Sequence, residues 1–233
     1  MKLPVLMATI AVWLPLQAQP RPTDKTVTAT AVRDAAGGSL VFHNNSDRTV
    51  AALEYIYTMR QPDMTVVYAA TAYYDSAIDP QTQPPIKPGQ EVRVPYRIPF
   101  SGASPVVGAE AGLFDDGGSF GEPHVIQTIQ DRRAYTLAAM TKSIAELKQA
   151  AKDGLSRQDL INLFQTSSAI ETSNAGDSEL AACIQAVRNK VVEGLITRGR
   201  QPDGSPTPMA DLIQSQIDAM SQRRELLRAA VAK

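Results

Sequence analysis

The chain has 233 residues, 23 basic side chains against 24 acidic ones, and a formal net charge of −1. That balance gives no ground for expecting nucleic acid or an anionic membrane as a partner. A single cysteine, Cys183, excludes an internal disulfide, so stability has to come from an ordinary core.

Met1-Lys2, an apolar run from Leu3 to Leu16 and the small Ala18 have the form of a secretory signal peptide, residues 1–18, cut after Ala18. The run is shorter than the roughly 20 apolar residues of a membrane span, and Pro4 and Pro15 interrupt it. No cysteine follows it, so no lipoprotein attachment site is expected. The expectation is a soluble exported protein, periplasmic or extracellular, with no integral membrane segment once the signal is removed. About 215 residues would then remain, enough for one large domain or two small ones.

From Lys25 to Leu113 the signals are those of strands. Thr26 to Val32 is rich in β-branched residues, and Ser39 to His43 is a short apolar run ending in the turn residues Asn44-Asn45-Ser46-Asp47. In Thr49–Met59, Leu53, Tyr55, Tyr57 and Met59 share one face. In Thr65–Tyr74, Val66, Tyr68, Ala70 and Tyr74 do so. The proline-rich connection from Asp79 to Gln90 predicts an irregular surface crossing. Glu91–Arg97 and Pro105–Phe114 complete six or seven short strands without an intervening helix, which is the pattern of a β-sandwich over residues 24–121.

Six of the seven tyrosines, Tyr55, Tyr57, Tyr68, Tyr73, Tyr74 and Tyr96, fall in this half. Such a row can line a carbohydrate site, or it can fill a core that has no tryptophan. Tyr73 and Tyr74 must point to opposite faces.

After Pro123 the period changes. Ile126, Ile129, Arg133, Leu137, Met140, Ile144 and Leu147 recur at spacings of 3 and 4 and predict one long helix ending at Asp153-Gly154. Pro123 suits its first turn and Gly154 its stop. Ser156 caps a second helix that weakens in the polar run from Thr166 to Gly176. Asp177 caps a third, carrying Leu180, Cys183, Ile184, Val187, Val191 and Leu195 and ending near Arg198-Gly199. These helices make up a helical region at 122–199. Residues 200–208 read as a linker, and a last amphipathic helix at 209–233 carries Ile213, Ile217, Met220, Arg224, Leu227 and Val231. The charges near the C-terminus read as a solvated face.

Gly117-Gly118-Ser119-Phe120-Gly121 spells Gly-x-Ser-x-Gly, the form of a hydrolase nucleophile elbow. Its context argues against that chemistry. The preceding strands are not separated by helices, so no parallel sheet is expected. His124 is the only histidine after Ser119, and nothing links Ser119 to His43. A phosphate cradle at this loop is opposed by Asp115, Asp116 and Glu122. Those carboxylates would suit a hard cation, but their spacing matches no calcium loop. Turn chemistry is the simplest reading, with Glu122 placed favourably at a helix N-terminus. Cys183, at helical spacing among apolar residues, reads as a buried small side chain rather than a thiol nucleophile or an intermolecular bridge. Asn44-Asn45-Ser46 matches a glycosylation acceptor in form.

Asn44-Asn45-Ser46 in an early turn, Ile86-Lys87-Pro88-Gly89-Gln90 before a strand, and Leu113 to Ser119 before a helix are shared features. On them the chain resembles uncharacterised exported bacterial proteins with an immunoglobulin- or fibronectin-like sandwich, over about residues 25–130. The resemblance implies a fold and an envelope location; it carries no activity and no site residue.

The sequence thus predicts an α+β protein, an N-terminal antiparallel immunoglobulin-like β-sandwich followed by a C-terminal helical region. No catalytic, cofactor-binding or metal-ligating residue is assigned, and no cofactor is expected. The expected function is non-enzymatic interaction or scaffolding in the cell envelope, through an unidentified protein partner at the helical region. A carbohydrate-binding module using exposed tyrosines and a hydrolase using Ser119 are the alternatives.

Overall fold

A computed structural model describes residues 25–34, 37–96, 104–174, 177–199 and 205–233. The expected signal peptide and residues 200–204 of the expected linker lie outside the described residues. The fold is α+β, with strands first and helices after.

Strands β1 (Val27–Asp34), β2 (Gly37–Asn44) and β5 (Glu91–Tyr96) form a three-stranded antiparallel sheet in the order β1-β2-β5. Strands β3 (Val50–Arg60), β4 (Val66–Asp75), β6 (Ser104–Phe114) and β7 (Ser119–Gly121) form a four-stranded antiparallel sheet in the order β4-β3-β6-β7. One face of each sheet is sealed against the other. Val27, Leu40 and Phe42 of the first meet Leu53, Tyr55, Met59 and Tyr74 of the second, and the Phe42 and Tyr55 rings lie 4.7 Å apart.

β3 is buried on both faces along most of its length. Leu53, Tyr55 and Met59 point into the space between the sheets. Ala52 points the other way and, with Ala111 and Leu113 of β6, forms a small apolar floor under Val125 and Ile129 of the first helix. The small side chains on that outer face let the helix approach closely.

β7 is an element the sequence pattern did not predict. It pairs Ser119 with Leu113, Phe120 with Gly112 and Gly121 with Ala111. Three residues, the last of them a glycine, are too few to display a period of two. Gly121 has φ 91, and a Cβ there would stand 2.2 Å from the Glu110 carbonyl oxygen, so this strand depends on its glycine.

The turn after β2 is fixed by Asn44, which is fully buried. Its Nδ2 donates to the carbonyls of Arg48 (2.7 Å) and Ile86 (2.8 Å), and its Oδ1 accepts from the Ser46 backbone N–H and hydroxyl. The glycosylation match at 44–46 is therefore closed in the folded protein. Its asparagine is sealed, and both amide hydrogens are engaged.

Helix α1 (Pro123–Asp153) begins with Pro123 at its first position and stops at Gly154, whose φ of 65 is left-handed. α2 (Arg157–Asn174) is capped by Ser156, whose Oγ accepts from the Asp159 N–H at 3.2 Å. It runs through the polar stretch where weakening is expected. Ala and Glu are good helix formers, Ser, Thr and Asn cost only modestly more, and the stretch as far as Asn174 holds no glycine or proline. α3 (Ser178–Thr197) is capped by Asp177, whose side chain accepts from the N–H groups of Glu179 and Leu180.

α4 (Met209–Val231) packs on its own chain. Leu212, Ile213, Ile217, Met220 and Leu227 join Met140, Ile144 and Leu147 of α1, Leu160 and Phe164 of α2, and Val187, Val191 and Leu195 of α3 in one core. Ala77, just after β4, enters the same core. Arg188 is buried beside it, held by two 3.0 Å hydrogen bonds to Glu146 and lying over the Phe164 ring. None of the described helices is long and apolar enough to cross a membrane.

Candidate functional site

Ser119 is an exposed residue of β7, in a hairpin rather than at a strand-to-helix elbow. His43 lies on β2 of the other sheet, with its Nδ1 3.9 Å from Glu91, and His124 lies in the first turn of α1. Among the described residues no hydrogen bond joins Ser119 to either histidine. Ser119→Ala is expected to change stability by less than about 0.5 kcal/mol, as surface substitutions do. A urea midpoint shifted well beyond that would assign Ser119 a role its surroundings do not show.

One carboxylate of the loop between β6 and β7 is paired from a distance. Arg48, in the turn before β3, donates through Nε and Nη2 to Asp116 and stacks 3.9 Å over the Phe114 ring. The Arg48 hydrogen bond, helped by the Gly118 N–H, holds the Asp116 carboxyl down at about 2. The carboxylate that a hard cation would need is thus already spoken for. Among the described residues no three acidic, histidine or cysteine side chains gather to hold a metal ion.

The tyrosines divide by face. Tyr55, Tyr74 and Tyr96 are in the core between the sheets. Tyr57 and Tyr68 form a tilted pair 5.6 Å apart near the turn that joins β3 to β4, with their hydroxyls 3.4 Å apart. Tyr73 faces the helices, with the Arg132 guanidinium 3.6 Å over its ring.

The chemistry-bearing residues gather instead at the seam between the four-stranded sheet and the helices. Asp75, at the end of β4, and Arg133 of α1 are both buried and meet through Nε–Oδ2 at 2.8 Å and Nη2–Oδ1 at 3.2 Å. Asp75 Oδ1 also accepts from the Ala77 N–H. The residue adjacent to Arg133, Arg132, pairs with Glu179 of α3. Glu54 of β3 lies beneath this pair, 7 % exposed, with no hydrogen-bond partner for its Oε2. Burial pushes its carboxyl up to about 7; the Tyr73 hydroxyl and Arg132 oppose this, while Glu110 and Glu179 add to it. The Tyr73 hydroxyl lies 3.5 Å from Glu179 and also serves Glu54, but it has only one proton to give. Burial likewise raises the Cys183 thiol, which lies 3.7 Å from the Arg132 carbonyl and is 3 % exposed. A buried, protonated thiol is not a poised nucleophile.

Beside this seam α1, α3, α4 and the segment after β4 enclose a groove of about 760 Å³, the size range of small-ligand sites. Its apolar wall includes Ile78, Met140, Val187, Val191 and Met220. Gln216 stands in the same wall, 5 % exposed, with its Nε2 lacking a hydrogen-bond partner. Gly194 makes room for that amide, since a Cβ there would lie 2.2 Å from Nε2. At the mouth, Asp79 receives Lys190 Nζ of α3 at 2.6 Å and Arg223 Nη2 of α4 at 3.5 Å. Burial pushes the Asp79 carboxyl up, but hydrogen bonds from Lys190 and Thr82 and the two nearby cations outweigh it and hold the group below its ordinary value. Pro80 and Leu226 separate the groove from a second cavity of about 720 Å³, reached by Arg133, Phe114 and Lys233.

The sequence reading placed Cys183 and Met140 correctly on inward faces but had no means of finding this groove. Gln216, Gly194, Asp79 and Arg223 belong to three different segments, and none stands out by residue type.

No protein-family model matches the chain, and no curated protein matches it. A solved structure titled "pT26-6p" aligns at 12% identity and a TM-score of 0.18, over 88% of this chain and 43% of its own. The chain spans less than half of that protein, and a score so low carries no argument about fold or function.

Proposed function

We propose that the protein is an exported, non-enzymatic binding protein of the bacterial cell envelope, in which an immunoglobulin- or fibronectin-like sandwich holds a helical layer that does the binding. The strand order β1-β2-β5 facing β4-β3-β6-β7 supports the first part, because two antiparallel sheets sharing one core are the architecture of that class. The signal-like segment at 1–18 supports export.

The observation that carries the binding reading is the groove between α1, α3 and α4. It combines an apolar wall, a buried amide without a partner and a charged mouth, the composition expected of a recognition site. Both histidines lie elsewhere, and the one thiol is buried and protonated.

Methionine-methyl NMR tests this directly. Met140 and Met220 line the groove, whereas Met59 lies sealed between the sheets. Fractions of envelope extract that contain a ligand are expected to shift Met140 and Met220 and to leave Met59 in place. If no fraction moves the two groove methyls, the reading fails. Stoichiometric labelling by a fluorophosphonate probe, lost in Ser119→Ala, would return the hydrolase alternative.

A further inference from the structure

We propose that the groove takes a long-chain monocarboxylate, a fatty-acid-like amphiphile whose headgroup is received by Lys190 and Arg223 and whose chain lies on Met140, Val187, Val191 and Met220. This rests on the binding reading above and names its ligand class.

Two cations from two different helices converge on one position, and the carboxylate found there is the chain's own. Asp79 comes from the connection after β4 and accepts Lys190 Nζ at 2.6 Å and Arg223 Nη2 at 3.5 Å. Two positive charges thus converge on a single carboxylate. Lys190 is 43 % exposed and Arg223 22 %, so both can turn toward an incoming anion. Asp79 thus shows what the two cations bind and occupies the place that a ligand carboxylate would take.

Behind the mouth the walls become apolar. Neighbouring Ala77 is buried in the helical core, so the Asp79 segment is anchored at one end while its carboxylate stays at the rim. Gln216 is the second, independent sign. A buried Nε2 without a partner is costly unless something supplies an acceptor. A carboxylate oxygen reaching past the rim is such an acceptor.

A single carboxylate fits better than a phosphate monoester. The opening offers one lysine and one arginine already sharing a carboxylate, with Glu193 also lining the groove. A dianion would face Asp79 and Glu193, while of the other groove cations Arg132 is held by Glu179 and Arg198 caps the C-terminal end of α3, about two turns from Lys190.

Binding of a fluorescent C16–C18 fatty acid, its alcohol and its phosphate monoester to the full mature chain tests the proposal. The carboxylate is expected to bind saturably at one site, about tenfold tighter than the alcohol and the phosphate, or about 1.4 kcal/mol. Asp79→Asn, which frees both cations, is expected to tighten carboxylate binding severalfold. Lys190→Gln with Arg223→Gln is expected to weaken it about tenfold and leave alcohol binding unchanged. Far-UV circular dichroism and the Met59 methyl resonance report that each variant is folded, and the double glutamine variant decides the matter if Asp79→Asn does not fold. The proposal is overturned if carboxylate and alcohol bind alike, if the phosphate binds tightest, or if neither cation substitution matters. If the fatty acid does not bind while an extract fraction still shifts Met140 and Met220, the ligand class is wrong and the binding reading stands. If nothing shifts those methyls, both fall.

Discussion

Replacing Arg133 by methionine is expected to destabilise the protein by about 3–5 kcal/mol, because it leaves the Asp75 carboxylate buried and unpaired. The pair is almost without solvent, with side chains 5% and 6% exposed. Asp75 keeps one partner, the Ala77 N–H, which is not enough to hold a charge in that surrounding. Asp75→Asn is expected to be nearly as damaging, since the buried Arg133 charge would then have no counterion and only neutral acceptors such as the Ala230 carbonyl at 3.4 Å. The double variant Asp75→Asn, Arg133→Met removes both charges while keeping an acceptor for Ala77. It should recover most of the loss, because a buried pair is worth far less than the penalty for breaking it. Urea midpoints of the three variants, with the slope unchanged, measure this. A single-variant loss below 1 kcal/mol would mean that the pair is hydrated. The location of the damage is also specific. Asp75 orders Ala77, and Ala77 sits in the helical core, so amide exchange should rise in residues 76–83 and in the second half of α4 before it rises in β2.

That arrangement shows what a sequence can and cannot display. The strands were legible because β-branched and aromatic residues alternate, and α1 because its apolar spacing runs from a proline to a glycine. Arg133 was visible as an arginine inside an apolar stripe, but its partner lies 58 positions away in β4. Asp116 and Arg48 stand 68 positions apart, so the sequence could not show that this carboxylate is paired. β7 was hidden by its shortness. The candidate site was the least legible part. Glu54 looks like any polar residue on the outer face of a strand, and only the helices that cover that face make it buried. The groove needs three helices and a connection to exist, and no segment carries its signature alone.

Glu54 supplies the second large expectation, a stability that falls as pH rises. Its neighbours on every packed element are known: Tyr73 from β4, Glu110 from β6, Arg132 from α1 and Glu179 from α3. Three carboxylates thus share one guanidinium and one phenolic proton. The folded protein keeps a proton on Glu54 up to about pH 7, whereas the unfolded chain releases it near 4.5. Between those values the native state binds more protons than the unfolded one, so the stabilisation present below about 4.5 is lost as pH climbs through 7. The shift corresponds to roughly 2–3 kcal/mol after allowance for solvent screening. Asp116 and Asp79 act in the opposite direction. Their carboxyls are held below the ordinary value, so what they contribute is lost as pH falls below about 4. Stability should therefore peak between about pH 4 and 5 and decline on both sides. Glu54→Gln mimics the protonated side chain and keeps its shape. It is expected to leave stability near pH 4.5 almost unchanged, to raise it by about 2 kcal/mol at pH 8.5, and to flatten the alkaline limb. Denaturation midpoints at five pH values measure both limbs at once. A Glu54→Gln profile parallel to that of the native protein would place the slope in other groups, while loss of the alkaline limb alone ties it to this carboxyl at the seam, where the sheet meets α1 and α3.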